Sequence, residues 1–414
     1  MEVLISGASI AGPVLAYWLA RYGFEVTVVE RAPALRKTGG HSVDLFRPAV
    51  DIAERMGVLP AVRALRTGTD RMTVHTAGTR PVEVDLRRLF GALSDRHVEI
   101  MRDDLGEVFH DAGKDDVEYV FGDSITSISE DGEVTFEHGA PRRFDVVIGA
   151  DGLHSNVRRL VFGDVPEEYI GAYLAVQSLP NDLGLADHTI THVEPGLIAS
   201  LYTARHLTDA RAVFLFRSAR ELDYHRRDVV RQRDLLRAAF AGVAGVADWL
   251  DRDGAFYFDS ITQIRLDTWS RGRVALVGDA GYCPGPAVGG STSLAVVGAY
   301  VLAGELAEAG GDHVRAFAAY EREIGEYVRR SRAFAVGAAK RIVPRTRRDV
   351  WLLRNGGRLV SHLPVPVGRL LAKLGANGLR LHDSVRLKDY APPIDSSRSD
   401  SAGGHRRPGT TPPQ

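Results

Sequence analysis

The sequence predicts an α/β protein: a Rossmann-like domain built from discontinuous segments, an inserted and mainly antiparallel β-sheet domain, and a C-terminal helical segment. Three observations carry that prediction. Residues 1–31 read strand, glycine-rich turn, helix, strand, the opening unit of a nucleotide-binding parallel sheet. Two later buried strands, around Val146-Val147-Ile148 and from Val274 to Val277, each run into a turn made of Asp and Gly. Short alternating strands separated by turn residues lie near Thr73–His75 and Val82–Val84, and again at 172–176, 189–193, 197–202 and 212–216, the pattern of antiparallel pairing.

Taken in order, Val3-Leu4-Ile5 is a buried strand, Pro13 to Arg21 carries apolar residues at helical spacing, and Val26 to Val29 is a second strand. Gly7-Ala8-Ser9-Ile10-Ala11-Gly12 links the first strand to the helix as a dinucleotide fingerprint requires. Gly7 permits the tight turn and Gly12 a close approach of helix to sheet, so that a pyrophosphate rests on the free N–H groups of the helix start. Ser9 stands where glycine normally lets the backbone near the phosphates, and its hydroxyl is a candidate donor to one. Glu30 ends the second strand, where an acid grips ribose hydroxyls. The turn alone leaves NAD, FAD and an unliganded strand–helix junction open.

Further on, an amphipathic helix is predicted around Pro48 to Met56, and Val134-Thr135-Phe136 is assigned with Val146 to Ile148 to the first sheet. From Asp312 to Val343 the pattern is helical, with Phe317, Tyr320, Ile324, Tyr327 and Val328 on one stripe and Pro344 as the stop. These readings divide the chain into a nucleotide domain of 1–70, 95–165 and 270–310, an inserted domain of 71–94 and 166–269, and a helical region of 311–390. The Ser-, Gly-, Pro- and Thr-rich stretch 395–414 has almost no apolar surface to bury and is expected to be disordered.

Composition narrows the function. Lys plus Arg number 52 against 53 Asp plus Glu, a net charge of −1, which does not favour a nucleic-acid partner. The lone cysteine, Cys283, excludes an internal disulfide and a multi-cysteine metal site, and no His-Glu-x-x-His run occurs, so no metal is expected. The longest uncharged, proline-free stretch, Ala287 to Gly304, is continuously apolar only from Leu294 to Ala303, too short to span a bilayer. With no signal peptide before the first strand, the expected location is the cytoplasm, without stable membrane association.

Phe144-Asp145-Val146-Val147-Ile148-Gly149-Ala150-Asp151-Gly152, followed by Ser155 and Arg158, and Arg273-Val274-Ala275-Leu276-Val277-Gly278-Asp279-Ala280 are each compatible with a plain strand exit. In that order after an N-terminal dinucleotide turn, the three motifs resemble the class A flavoprotein monooxygenases, the para-hydroxybenzoate hydroxylase family that includes the tetracycline-inactivating flavoenzymes. The resemblance covers about residues 1–345. It implies FAD as cofactor, with Asp279 on the ribityl chain, Asp151 near the pyrophosphate, Arg102 in contact with FAD and Glu30-Arg31 at the adenosine end. It implies that Gly39 to Asp44, with Val43 and Asp44, runs along the flavin edge, and that Arg36 contacts NAD(P)H, the transient electron donor. Gly289-Gly290-Ser291-Thr292-Ser293 replaces the family's Gly-Gln-Gly-x-Asn run, yet a helix starting near Ser291 still aims N–H groups at the flavin.

The implied activity is an NAD(P)H-consuming, O2-dependent hydroxylation of an aromatic or polyketide-like small molecule through a flavin C4a-hydroperoxide. An FAD-dependent dehydrogenase or reductase, and a flavin protein that only sequesters a ligand, are the alternatives. Acid–base candidates are His41 and Tyr282. Cys283 reads as a small packed residue rather than a flavin attachment point. Tyr173, Tyr202, Phe214 and Phe216, with the run Phe256-Tyr257-Phe258, are candidates for lining a substrate cavity. In the tetracycline-inactivating enzymes polar side chains on the second domain's strands hold the substrate. The similar stretches here, Gly171 to Val176 and Pro195 to Ser200, offer no Gln or Arg, with Gln177 just beyond, so a more apolar ring system is expected and tetracycline a poor substrate.

Overall fold

The structure, a computed structural model, describes residues 1–36, 39–88, 96–286, 290–362, 381 and 385–390. The expected disordered stretch 395–414 and Gly289 lie outside the described residues.

In chain order the strands are β1 (Glu2–Ser6), β2 (Glu25–Glu30), β3 (Ser42–Leu45), β4 (Arg71–His75), β5 (Val82–Asp85), β6 (Val98–Met101), β7 (Glu118–Phe121), β8 (Ile125–Ile128), β9 (Glu133–Phe136), β10 (Arg142–Arg143), β11 (Val146–Gly149), β12 (Glu167–Pro180), β13 (His188–Glu194), β14 (Leu197–Tyr202), β15 (Asp209–Arg217), β16 (Phe256–Ile264), β17 (Ser270–Arg271) and β18 (Val274–Leu276). The helices are α1 (Ala11–Arg21), α2 (Arg47–Arg55), α3 (Leu59–Ala64), α4 (Arg102–Asp111), α5 (Asn156–Phe162), α6 (Val229–Phe240), α7 (Ala247–Leu250), α8 (Asp279–Tyr282), α9 (Ser291–Glu308), α10 (His313–Ile342) and α11 (Arg347–His362).

The first sheet has the order β17-β18-β11-β1-β2-β7. Its inner pairs are parallel, which is why β1, β2 and β11 read as nearly continuous apolar runs: both faces are covered. Helices α1 and α9 bury almost their whole lengths against each other and this sheet. The predicted stripe of α10 is buried on the same core, from Phe317 to Val328.

Two readings need correction. Val134 to Phe136 does not return to the parallel sheet; as β9 it sits in a separate antiparallel sheet, β10-β9-β8, because a short β-branched run carries no signal for its partner. The region 311–390 is also not helical throughout, since residues 385–390 are extended and dock the Tyr390 hydroxyl on Glu305 of α9 at 3.0 Å.

The second sheet has the order β16-β12-β15-β14-β13-β4-β5. All its pairings are antiparallel except β13 with β4, which is parallel. Strand parity decides its two faces. Tyr173, Phe216, Phe214 and Phe258 point to one side, where α6 and α7 cover them with Leu236, Phe240 and Trp249. Val176, Val213, Tyr257 and Asp259 occupy the alternate positions. That second face meets the loops of the first sheet: Ser42 N donates to Tyr202 Oη at 2.8 Å, and Arg211 Nε donates to the Gly40 carbonyl at 3.2 Å.

Candidate active site

The turn after β1 is built for glycine. Gly7 has φ +108°, and a Cβ there would lie 2.6 Å from the Ala150 carbonyl oxygen. A Cβ on Gly12 would lie 1.9 Å from the Gly7 oxygen, so helix and turn touch backbone to backbone. Helix α1 begins without a side-chain cap and without an acid in its first turn, leaving its first N–H groups for an anion. The other buried helix, α9, starts in the same way from Gly290 at φ +91°. Gly278 brings the two starts together: a Cβ there would meet Ala295 of α9 at 3.2 Å and Ala11 of α1 at 3.5 Å. An uncapped pair of helix starts around a glycine-lined turn fits a long anionic cofactor such as FAD.

Side chains converge on this cradle. Glu30 accepts the Ala8 N–H at 2.9 Å and the Ala32 N–H at 2.8 Å, holding the turn from the end of β2. Arg102, the first residue of α4, donates from Nη2 to Ser9 Oγ at 3.1 Å and from its backbone N to the His41 carbonyl at 3.1 Å. Ser9 therefore accepts within the protein, while its small size still leaves the turn open. Asp103 receives the Gly40 N–H at 2.8 Å, and Ser293 receives the Phe46 N–H at 3.0 Å while donating to the Asp44 carbonyl, so β3 is anchored at both ends. Val43 is buried, and the Asp44 carboxylate pairs with His97 at 2.6 Å.

Asp279 opens α8 directly beside the two helix starts. Burial pushes its carboxyl up, and the Arg102 guanidinium is the main opposing influence. Ser291 and Thr292 are half-buried at the start of α9, whereas Arg31 and Arg36 are exposed. His41 is held at about 4 by burial and by the neighbouring Arg102 charge, so it is neutral at physiological pH.

Three groups of candidates sit elsewhere. The Asp151 carboxylate is occupied: Ser155 Oγ donates to one oxygen, and the Asn156 and Val157 N–H groups donate to the other at 2.7 and 3.0 Å. It caps α5, the ordinary fate of Asp at a strand exit. Tyr282 is fully buried against Trp269 with its hydroxyl bonded to Tyr320 at 2.9 Å, so it is a core residue and not an acid–base group. Tyr173, Phe214 and Phe216 lie on the sheet face away from the cradle, and the Leu222 N–H donates to the Tyr173 hydroxyl at 2.7 Å. Of the four aromatic candidates only Tyr202 reaches the loops of the first sheet. Cys283 is buried with its thiol pushed well up by burial and by Asp279, so it stays protonated and packed.

Sequence reasoning missed Asp259, His154 and Arg211. Asp259 is 4% exposed, accepts from Tyr257 Oη at 3.1 Å and lies 2.6 Å from His154 Nε2. Arg211, also buried, pairs with Asp209 as well as with Gly40. Strand parity would have found both, since they alternate with the apolar core positions. Gln177 falls inside β12, two residues further along the strand than the predicted stretch allowed, and its side chain is bonded to the Arg252 carbonyl and to Arg233 on the α6 side.

A family model, the FAD binding domain, matches residues 1–335. The chain belongs to the flavin-dependent monooxygenases of that family. It is 44% identical over 349 residues to a Mycobacterium tuberculosis protein, Rv1260, covering 80% of this chain and 91% of that one. It is 36% identical over 345 residues to a flavin-dependent monooxygenase of Legionella longbeachae, covering 81% and 88%. Among solved structures it resembles the tetracycline destructase Tet(55), with a TM-score of 0.79, 34% identity, and coverage of 94% of this chain and 98% of that one. The monooxygenase is thus an FAD enzyme with the class A fold. Among the described residues no helix is long and apolar enough to cross a membrane.

Proposed function

We propose that this monooxygenase consumes NAD(P)H and O2 to hydroxylate an apolar, fused-ring aromatic or polyketide-like small molecule. FAD, when bound, supplies the redox and oxygen-activating chemistry that no side chain can. The α1 turn, Glu30, Arg102, Asp279 and the start of α9 are the residues that would hold it. The inserted sheet, from the segments 71–94 and 166–269, would carry the substrate side.

The observation that supports this substrate class is the character of the second sheet's inner face. Its half-buried side chains include Ile198, Val213 and Tyr257, while the polar Arg211 and Asp259 are buried and already paired. A substrate bristling with polar groups would leave partners unmet there, each costing about 1–3 kcal/mol. Tetracycline is therefore expected to be turned over poorly, in contrast to what the name of the destructase Tet(55) describes for that protein.

The test is steady-state NADPH and NADH consumption with product mass under labelled oxygen, for tetracycline beside a panel of fused-ring phenols and indoles. Label in a panel product supports the reading. Reduction of flavin without label in any product points to a dehydrogenase, and efficient coupled hydroxylation of tetracycline with the panel inert overturns the substrate class.

A further inference from the structure

The hydroxyl of Tyr257 does not face the cleft as a free rotor. Its proton is committed to Asp259 Oδ2 at 3.1 Å, and that carboxylate cannot turn to offer anything else. Asp259 Oδ1 accepts the Ser260 N–H at 2.9 Å, and His154 Nε2, from the loop after β11, holds Oδ2 at 2.6 Å. The ionised carboxylate has only acceptors, so in this chain Tyr257 must be the donor. Burial and the Asp259 charge push the Tyr257 phenol well up, so it keeps its proton across the physiological range. The same hydroxyl feels the charges of Arg102 and Asp279, which places it beside the flavin cradle rather than in the α6–α7 core.

We propose that Tyr257, fixed by Asp259 and His154, is a specificity residue that presents only lone pairs to the cleft and so selects ligands bearing an O–H or N–H donor at that point. The inference rests on the apolar-ring reading above and sharpens it: the ligand is a phenol, enol or ring N–H compound, and its O-methylated or carbonyl counterpart is rejected. A site whose polar group is left unmatched discriminates strongly, whereas one that merely lacks a methyl-sized space does not.

The geometry also says what would reverse the preference. In Asp259→Asn the Ser260 N–H requires the amide oxygen on its side, which turns the NH2 toward Tyr257. That amide then donates to the phenolic oxygen, and the Tyr257 proton is released toward the cleft.

The experiment measures equilibrium binding of 2-naphthol, its methyl ether and 2-acetonaphthone to the FAD-loaded enzyme, read by flavin absorbance and calorimetry. Wild type should bind the naphthol at least about tenfold more tightly than the ether. Tyr257→Phe should bind the two alike, and Asp259→Asn should move the preference toward the ketone. Flavin occupancy and melting temperature check that each variant is folded, and Tyr257→Phe decides the matter if Asp259→Asn fails that check. Equal binding of naphthol and ether by wild type, discrimination surviving in Tyr257→Phe, or no binding of the naphthol at all would each overturn the proposal. Discriminating binding without oxygen transfer to any ligand would instead defeat the hydroxylase reading and leave this one standing.

Discussion

The Arg158 guanidinium donates to the Ala280 carbonyl at 2.8 Å and also reaches the Leu153 carbonyl, tying the Asp-Gly turn after β11 to the Gly-Asp turn after β18. The residue is 5% exposed, so these bonds form away from water. Two motifs 122 residues apart in the chain are thereby one structural unit, with Asp279 seated at its edge. Arg158→Ala strands both carbonyls and should cost about 1.5–3 kcal/mol per lost charged hydrogen bond. Urea unfolding of the FAD-free protein checks this, and an unchanged midpoint would show that the two turns do not depend on the arginine.

Asp279→Ala should weaken FAD binding by about 1.5–3 kcal/mol, the worth of a hydrogen bond from the ribityl chain to a charged group. Burial already pushes the Asp279 carboxyl up, so the isosteric Asp279→Asn should lose less than Asp279→Ala. Flavin released on dilution, followed by fluorescence, ranks the three proteins. An Asp279→Ala enzyme with undiminished affinity would remove this residue from the cofactor site.

Phe216 packs against Tyr173 at 5.3 Å and Phe240 at 6.1 Å between ring centres, deep under α6. Phe216→Ala should cost about 3–5 kcal/mol of stability, as for other buried aromatics. Because the ring faces away from the cradle, the order of preference among ligands should survive the substitution. Thermal melts and a ligand panel measured at low temperature separate the two effects.

His192 gives the fold a dependence on pH. Burial, aided by the stacked His75 ring at 4.9 Å, holds its imidazole at about 4 against an ordinary value of 6.5. The folded-state value is depressed, so the contribution is complete above 6.5. It is lost as pH falls from there toward 4, because only the unfolded chain takes up the proton in that window. Urea midpoints should therefore fall between pH 7 and pH 5, and His192→Gln should flatten the part of that slope due to this residue. A variant with the wild-type slope would assign the dependence to other groups, His41 first among them.

The sequence by itself determined the parallel core and the cofactor cradle. Gly7 and Gly12 leave no room for a side chain, β1 and β11 are apolar on both faces, and the Asp-Gly and Gly-Asp exits recur in a set order. These are local properties, fixed by dihedral limits and burial within a few residues. The tertiary structure alone decided which side each second-sheet residue faces. Parity along β12, β15 and β16 turns Tyr173, Phe214 and Phe216 into core and Tyr257 into a cleft residue, although all four are aromatics in similar runs. It also decided that Asp151 caps a helix and Tyr282 bonds Tyr320, because the partners of a polar group lie across the fold and not beside it in the chain.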